Sequence, residues 1–186
     1  MSRTYTVGVL VGSLRKESFN RKIANAAVAV APSDLTCRFI GIGDLPLYDA
    51  DLETDAPPAP WVAFRDAVRG VDAILFVTPE YNRSVPGALK NAIDVGSRPG
   101  GKSVWSGKPC AVISVTQGML GAFGANHHLR QSFVFLNMPA MQQPEAYIGQ
   151  VAPMFDDQGT LTNASTRDFL VKYMDAFGKW IARQLA

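Results

Sequence analysis

Long hydrophobic runs are missing from this chain of 186 residues. No apolar stretch approaches the ~20 residues that a membrane-spanning helix needs, which argues against a membrane protein. The opening residues MSRTYTV lack the long apolar segment of a secretory signal, so the cytoplasm is the expected location. Cysteine is scarce, at two residues. Cys37 and Cys110 each lie in an apolar, strand-like run, which suits buried free thiols in a reducing compartment better than a disulfide. Charge is sparse too: 18% of residues are charged and the formal net charge is +2. The cations form no basic stripe interleaved with aromatics, which excludes an evident nucleic-acid footprint. Repeats and low-complexity tracts are absent, and the proline-rich stretch at Pro57 to Pro60 is too short to separate two domains. Residues 1–186 are therefore expected to form one domain.

What is present is an alternation of apolar strands and amphipathic helices. Val7 to Val11 is a β-branched and aliphatic run ending at Gly12, and RKIANAAVAVA after Asn20 has apolar residues suited to one helical face. Thr36 to Ile42 predicts a second strand, followed by DLPLYDADLETDAPPAP, whose prolines and acidic residues predict an irregular surface loop. Trp61, Phe64 and Val68 recur at helical spacing, and Ala73 to Thr78 is an uninterrupted apolar strand stopped by Pro79. Pro86 suits the first turn of a helix through ALKNAIDVG that Gly96 would end. A further strand is predicted at Pro109 to Thr116, then a glycine-containing loop, a helix with Leu129, Phe133 and Leu136, and a short strand at Tyr147 and Ile148. Phe169, Tyr173, Phe177 and Trp180 form a core-facing stripe on a terminal helix. Apolar strands without polar alternation indicate a parallel sheet covered on both faces, an α/β doubly wound fold of five strands.

The loop after the first strand reads GSLRKESFN, from Gly12 to Asn20. A strand-to-helix loop aims backbone N–H groups and the positive end of a helix dipole at one point, where an anion fits. The stretch lacks the G-x-G-x-x-G of dinucleotide sites and the lysine of a Walker A loop. It offers side-chain donors in their place. Ser13, Ser18 and Asn20 can each give a hydrogen bond, and Arg15 can grip a phosphate through two parallel N–H groups, which suits a terminal phosphomonoester. Taken alone, it fits equally a simple Ser18 N-cap with solvated Arg15 and Lys16. Position favours the ligand: with strand order 2-1-3-4-5, a ligand sits between strands one and three, and the loop after strand three is TPEYNRSVPG.

These two motifs, with TPEYNRSVPGALKNAIDVGSRP from Thr78 to Pro99 and SGKPCAVISVTQGMLGAFGANHHLRQSFVFLNM from Ser106 to Met138, resemble the NADPH-dependent FMN reductase family, and within it the bacterial quinone and chromate reductases. The segment Thr116 to Gly124 departs from the more glycine-rich or serine-containing loop of many relatives. The resemblance implies a flavodoxin-like fold holding FMN noncovalently. It implies that Ser13, Arg15, Ser18 and Asn20 hold the phosphate. Pro79, Glu80, Tyr81 and Asn82 would line the isoalloxazine, and the third loop near Thr116, Gln117 and Gly118 would face its pyrimidine edge. It further implies a homodimer or homotetramer with FMN near the interface, and ping-pong transfer of a hydride from NADPH or NADH to FMN, then of electrons to quinones or small oxidants such as chromate.

In such chemistry the flavin carries the reaction and no catalytic side chain is required. Glu80 invites a proton-transfer role, but a carboxylate at a strand end more often accepts hydrogen bonds or orders its loop, and geometry must decide. Arg83, Arg98 and Lys102 are candidates to draw anionic substrates towards the site, or else are solvated cations. His127 and His128, adjacent on a helix, point in different directions and have no convergent ligands, so no metal is expected. Two other readings stay open: a flavodoxin-like electron carrier, disfavoured by a sequence pI near 8.6 and by the arginine in the phosphate loop, and a reductase that releases free reduced FMN.

Overall fold

The protein is described by a computed structural model covering residues 3–186. Five strands, β1 (Tyr5–Val11), β2 (Leu35–Phe39), β3 (Ala73–Thr78), β4 (Cys110–Val115) and β5 (Ala146–Ile148), alternate with helices α1 (Phe19–Ala29), α2 (Ala59–Arg69), α3 (Gly87–Gly96), α4 (Phe123–Phe135) and α5 (Ala164–Gln184). All five strands join one sheet in the order β2-β1-β3-β4-β5, and every neighbouring pair is parallel. This is the doubly wound arrangement that the apolar runs predict. The three central strands are nearly all buried because helices cover both faces.

Alternate residues of the strands feed two cores. Val7, Val9, Leu75 and Ile113 pack with Ile23 of α1 and with Leu170, Tyr173, Met174 and Phe177 of α5. Leu10, Ile74, Phe76 and Val112 face the other way, against Trp61 and Phe64 of α2, Leu89 and Ile93 of α3, and Phe133 of α4. The terminal stripe is core as expected, with Phe169 and Trp180 partly buried at its edge.

Two local differences from the sequence reading, in the acidic loop and at Pro86, have physical causes, and the helix end expected at Gly96 is found there. The acidic, proline-rich loop contains one 3-10 turn, Ala50–Leu52, opened by the Asp49 carboxylate accepting from the Asp51 N–H. That loop is also pinned: Asn91 on α3 accepts from the Tyr48 N–H and donates to the Pro46 carbonyl, while the Trp61 indole donates to the same carbonyl. Gly96 is the last residue of α3 and Ser97 is its C-cap. The position needs a residue without a side chain because a Cβ there would meet three Trp105 ring atoms at 2.5–2.6 Å. Pro86 is the N-cap of α3, just outside its first turn.

Candidate functional site

The carboxyl ends of β1, β3 and β4 deliver three loops to one groove. The first two are fastened at their base, where the Gly12 N–H donates to the Val77 carbonyl at 2.8 Å. Ser13, Arg15, Ser18 and Asn20 from the first loop and the start of α1, Pro79, Glu80 and Tyr81 from the second, and Thr116 and Gln117 from the third line a cavity of about 130 Å³. Asn82 and Gly118 stand next to lining residues without lining the cavity themselves. Phe19, Val115 and Val151 complete the walls. Sequence reasoning missed these three, since an apolar residue beside a polar loop carries no mark that separates a ligand wall from core.

Ser18 is 2% exposed and caps α1, its Oγ accepting from the Arg21 N–H at 3.2 Å. A hydroxyl has one proton and two lone pairs, so this cap leaves the O–H free to donate into the groove. Asn20 is 6% exposed, and its Oδ1 is buried without a hydrogen-bond partner. A lone acceptor of this kind costs about 1–3 kcal/mol unless a donor reaches it. Arg15 is exposed at the rim. Hydroxyl donors, a guanidinium, a helix N-terminus and an unmatched acceptor are the set that a phosphorylated polyol such as the ribityl phosphate of FMN would satisfy.

The second loop is a tight hairpin. Tyr81 and Ser84 exchange both backbone hydrogen bonds, at 3.1 and 2.9 Å. Between them Asn82 and Arg83 take φ of 51° and 62°, the signs of a type I′ turn. Tyr81 stands at the rim with 53% of its surface exposed. Glu80 turns away from solvent and accepts from the Ala125 N–H at 3.0 Å. Arg83 lies 3.8 Å from the other carboxylate oxygen and is 75% exposed. Of the three candidate anion-drawing cations, Arg83 alone is beside the groove. Arg98 and Lys102 follow α3, whose ten residues carry the chain about 15 Å back towards the amino ends of the parallel strands. Arg98 there lines a different cavity with Ser97, Ser103 and Phe135.

The third loop is held from beneath by a buried polar network. Ser114 Oγ reaches the Gly121 carbonyl at 2.7 Å and the Ala146 carbonyl at 3.0 Å, and accepts from Asn126 Nδ2. Arg130 donates to Asn126 Oδ1 and to the Met141 carbonyl. The available signal was a serine inside the apolar run CAVISV and an asparagine on the inward face of α4. His127 and His128 diverge: His127 Nε2 is 3.2 Å from the Tyr147 hydroxyl, and His128 Nδ1 is 2.8 Å from Ser84 Oγ. Burial, aided by the neighbouring Glu145 carboxylate, pushes the Tyr147 phenol up to about 12. Burial likewise pushes the Cys37 and Cys110 thiols up, so both are poor nucleophiles. Among the described residues no helix is long and apolar enough to cross a membrane.

Residues 5–153 match the model of the family described as NADPH-dependent FMN reductase. The chain is 61% identical over 181 residues, 97% of each protein, to a quinone reductase of Pseudomonas putida. It is 44% identical over 175 residues, 94% of this chain and 95% of the relative, to a 2-hydroxy-1,4-benzoquinone reductase of a Burkholderia species. Among solved structures it superposes on FerB, a flavoenzyme NAD(P)H:(acceptor) oxidoreductase of Paracoccus denitrificans, with a TM-score of 0.90. That pair shares 42% identity over 97% of this chain and 99% of the other.

Proposed function

The chain belongs to the NADPH-dependent FMN reductase family and is an FMN-dependent NAD(P)H:acceptor oxidoreductase, and on that premise we propose that quinones are its principal acceptors and that the three-loop groove is its flavin site. The observation that carries the site assignment is the unmatched buried Oδ1 of Asn20 beside the free Ser18 hydroxyl. FMN, when bound, would supply the redox chemistry between NAD(P)H and the acceptor.

The protein's residues bind and orient. Arg15 clamps the phosphate through paired N–H donors, Ser13 and Ser18 donate to it, and the N-terminus of α1 adds its dipole. Asn20 Oδ1 accepts from a ribityl hydroxyl. Pro79 and Tyr81 wall the ring, with Asn82 fixing the turn behind Tyr81. In the third loop the Thr116 N–H is spent on the Ile148 carbonyl and the Gly118 N–H on Thr116 Oγ1, so the Gln117 N–H is the donor that would face the pyrimidine edge, where a fixed dipole stabilises charge that develops on reduction. Glu80 moves no proton in this scheme, because its carboxylate is committed to α4. Arg83 at the rim draws the phosphates of NAD(P)H.

A second copy of the chain completes the assembly. Met119, Leu120 and Phe123 are 83%, 59% and 51% exposed beside the third loop, and Val134 and Phe135 are each 84% exposed farther along α4. Apolar exposure of this density marks an interaction surface, and a homodimer or homotetramer would bring a neighbouring chain close to the groove. The free thiols Cys37 and Cys110 suit the cytoplasm.

The test is the visible spectrum of protein reconstituted with FMN and freed of unbound flavin, recorded before and after anaerobic NADPH or NADH and again after a benzoquinone. Retained flavin should bleach with the nucleotide and recover with the quinone. Retained flavin that never bleaches would make the protein a carrier and overturn the proposal.

A further inference from the structure

Glu80 sits in the flavin groove yet spends its carboxylate elsewhere. Helix α4 begins at Phe123 with Ala122 as its N-cap, a left-handed residue (φ 59°) that has no side-chain cap. The first N–H groups of a helix need acceptors, and an N-cap side chain normally serves the second or third of them. Ala125 is the third helical residue, and Glu80 Oε2 accepts its N–H at 3.0 Å from a different loop. The negative charge also lies at the positive end of the α4 dipole. Two further contacts stitch the same turn to the same helix. Ser84 Oγ meets His128 Nδ1 at 2.8 Å, and Arg83 lies so close to Gly124 that a Cβ there would be 2.8 Å from the Arg83 carbonyl oxygen and 2.9 Å from Glu80 Oε2. The turn so held is strained, because Arg83 adopts a left-handed backbone that residues with a Cβ avoid.

We propose that Glu80 is a positioning residue: by capping α4 it clamps the strained Tyr81–Ser84 turn onto that helix and thereby fixes Tyr81 against the flavin. The second and third flavin loops then move as one body. Gly124 is the other half of the clamp, because only a residue without a side chain lets the turn approach. This inference rests on the groove being the flavin site and adds the device that keeps its wall in place.

The proteins to compare are wild type, Glu80→Ala, Glu80→Gln, Gly124→Ala and the Glu80→Ala/Gly124→Ala double variant. Each is titrated with FMN and with riboflavin by flavin fluorescence, and flavin-free unfolding is followed by circular dichroism. Loss of the clamp should weaken FMN and riboflavin alike, by about tenfold for Glu80→Ala, the scale of one hydrogen bond to a charged group. Glu80→Gln keeps a carbonyl oxygen for the Ala125 N–H and should stay within about threefold of wild type, because a neutral bond is the weaker one. Gly124→Ala should reproduce the Glu80→Ala loss, and the double variant should be no weaker than either single one, since both break the same unit. A folded Glu80→Ala protein that binds both flavins as wild type does overturns the proposal. So does a Gly124→Ala protein with normal flavin binding, because Glu80 would then act by direct contact. If Glu80→Ala does not fold, Glu80→Asp, one methylene short of Ala125, takes its place under the same criteria. Wild type that binds neither flavin overturns the groove assignment itself and the clamp's role with it, whereas normal wild-type binding with insensitive variants overturns the clamp alone.

Discussion

The two tasks assigned to Ser18 can be separated by substitution. Its Oγ accepts from the Arg21 N–H at the start of α1, and its proton is left free in the groove that it lines, where we assign it to the FMN phosphate. Ser18→Ala removes both. The lost cap should cost the flavin-free protein about 1 kcal/mol, which for a chain of this size lowers Tm by about 2–4 °C. The lost hydrogen bond to a charged phosphate is worth about 1.5–3 kcal/mol, so FMN should dissociate roughly tenfold to 150-fold more readily. Riboflavin, which has no phosphate, should be nearly unaffected. Ser18→Asp keeps an acceptor for the Arg21 N–H but offers no donor and sets a negative charge against the phosphate. It should therefore restore the flavin-free Tm while binding FMN more weakly than Ser18→Ala does. The assay is paired: thermal unfolding of the flavin-free protein, and fluorescence titration with each flavin. Equal losses of FMN and riboflavin in Ser18→Ala, or wild-type FMN affinity in Ser18→Asp, would refute the assignment of this loop to the phosphate.

Arg15→Ala, at an exposed position outside every helix, should leave the flavin-free Tm unchanged and still weaken FMN selectively over riboflavin; a matching loss for both flavins in the same titration counts against a phosphate clamp. Arg65→Met should destabilise the fold by about 3–5 kcal/mol, because the Glu53 carboxylate now held at 2.6 and 2.9 Å would be left largely buried and unpaired; chemical denaturation should show Glu53→Gln recovering much of that loss in the double variant. Gly96→Ala should lower Tm through about 1–3 kcal/mol of overpacking against the buried Trp105 ring, and an unchanged Tm would mean that the ring has room to move. Tyr147 is raised to about 12, and burial raises Tyr173, whose hydroxyl donates to the Val112 carbonyl. Phenols with a raised folded-state value stabilise fully below the unfolded value of about 10, and that stability is lost as pH rises towards 12. Denaturation midpoints should fall across that window, and Tyr173→Phe should flatten the fall.

The fold was legible because its strands are saturated with apolar side chains. A six-residue run such as AILFVT, bounded by turn residues, reads as a strand buried on both faces, and three such runs, in β1, β3 and β4, alternating with helices leave few alternatives to a doubly wound sheet. Strand ends were less legible. Thr36 to Ile42 reads as one run, yet β2 stops at Phe39, although Ile40 still donates to the Val9 carbonyl. Apolarity persists beyond that point because Ile40 and Ile42 pack into the core after the strand has ended. Gly96 does end α3 as the sequence suggests, but the contact that requires a glycine there was not legible. A glycine near a helix end suggests backbone conformation, whereas here it answers to a tryptophan nine residues later.

The site was legible only in part, and the division follows the range of each interaction. Ser13, Arg15, Ser18 and Asn20 belong to one nonamer, so their meeting in one groove can be read in one dimension. The cations did not sort themselves: Arg83, Arg98 and Lys102 look alike in sequence, and only the reversal of direction along α3 sends two of them to the amino ends of the strands. The pairing of Glu80 with Ala125 spans 45 residues, and Ser114 reaches Ala146 across 32. No local pattern encodes either one. Glu80 exposes the general difficulty, for a carboxylate at the end of a central strand looks the same whether it will accept a substrate proton or cap a helix. What decides is whether another backbone N–H lies within reach, a property of the folded chain. In this molecule one does, at 3.0 Å, and the carboxylate that the sequence offered for proton transfer caps a helix instead.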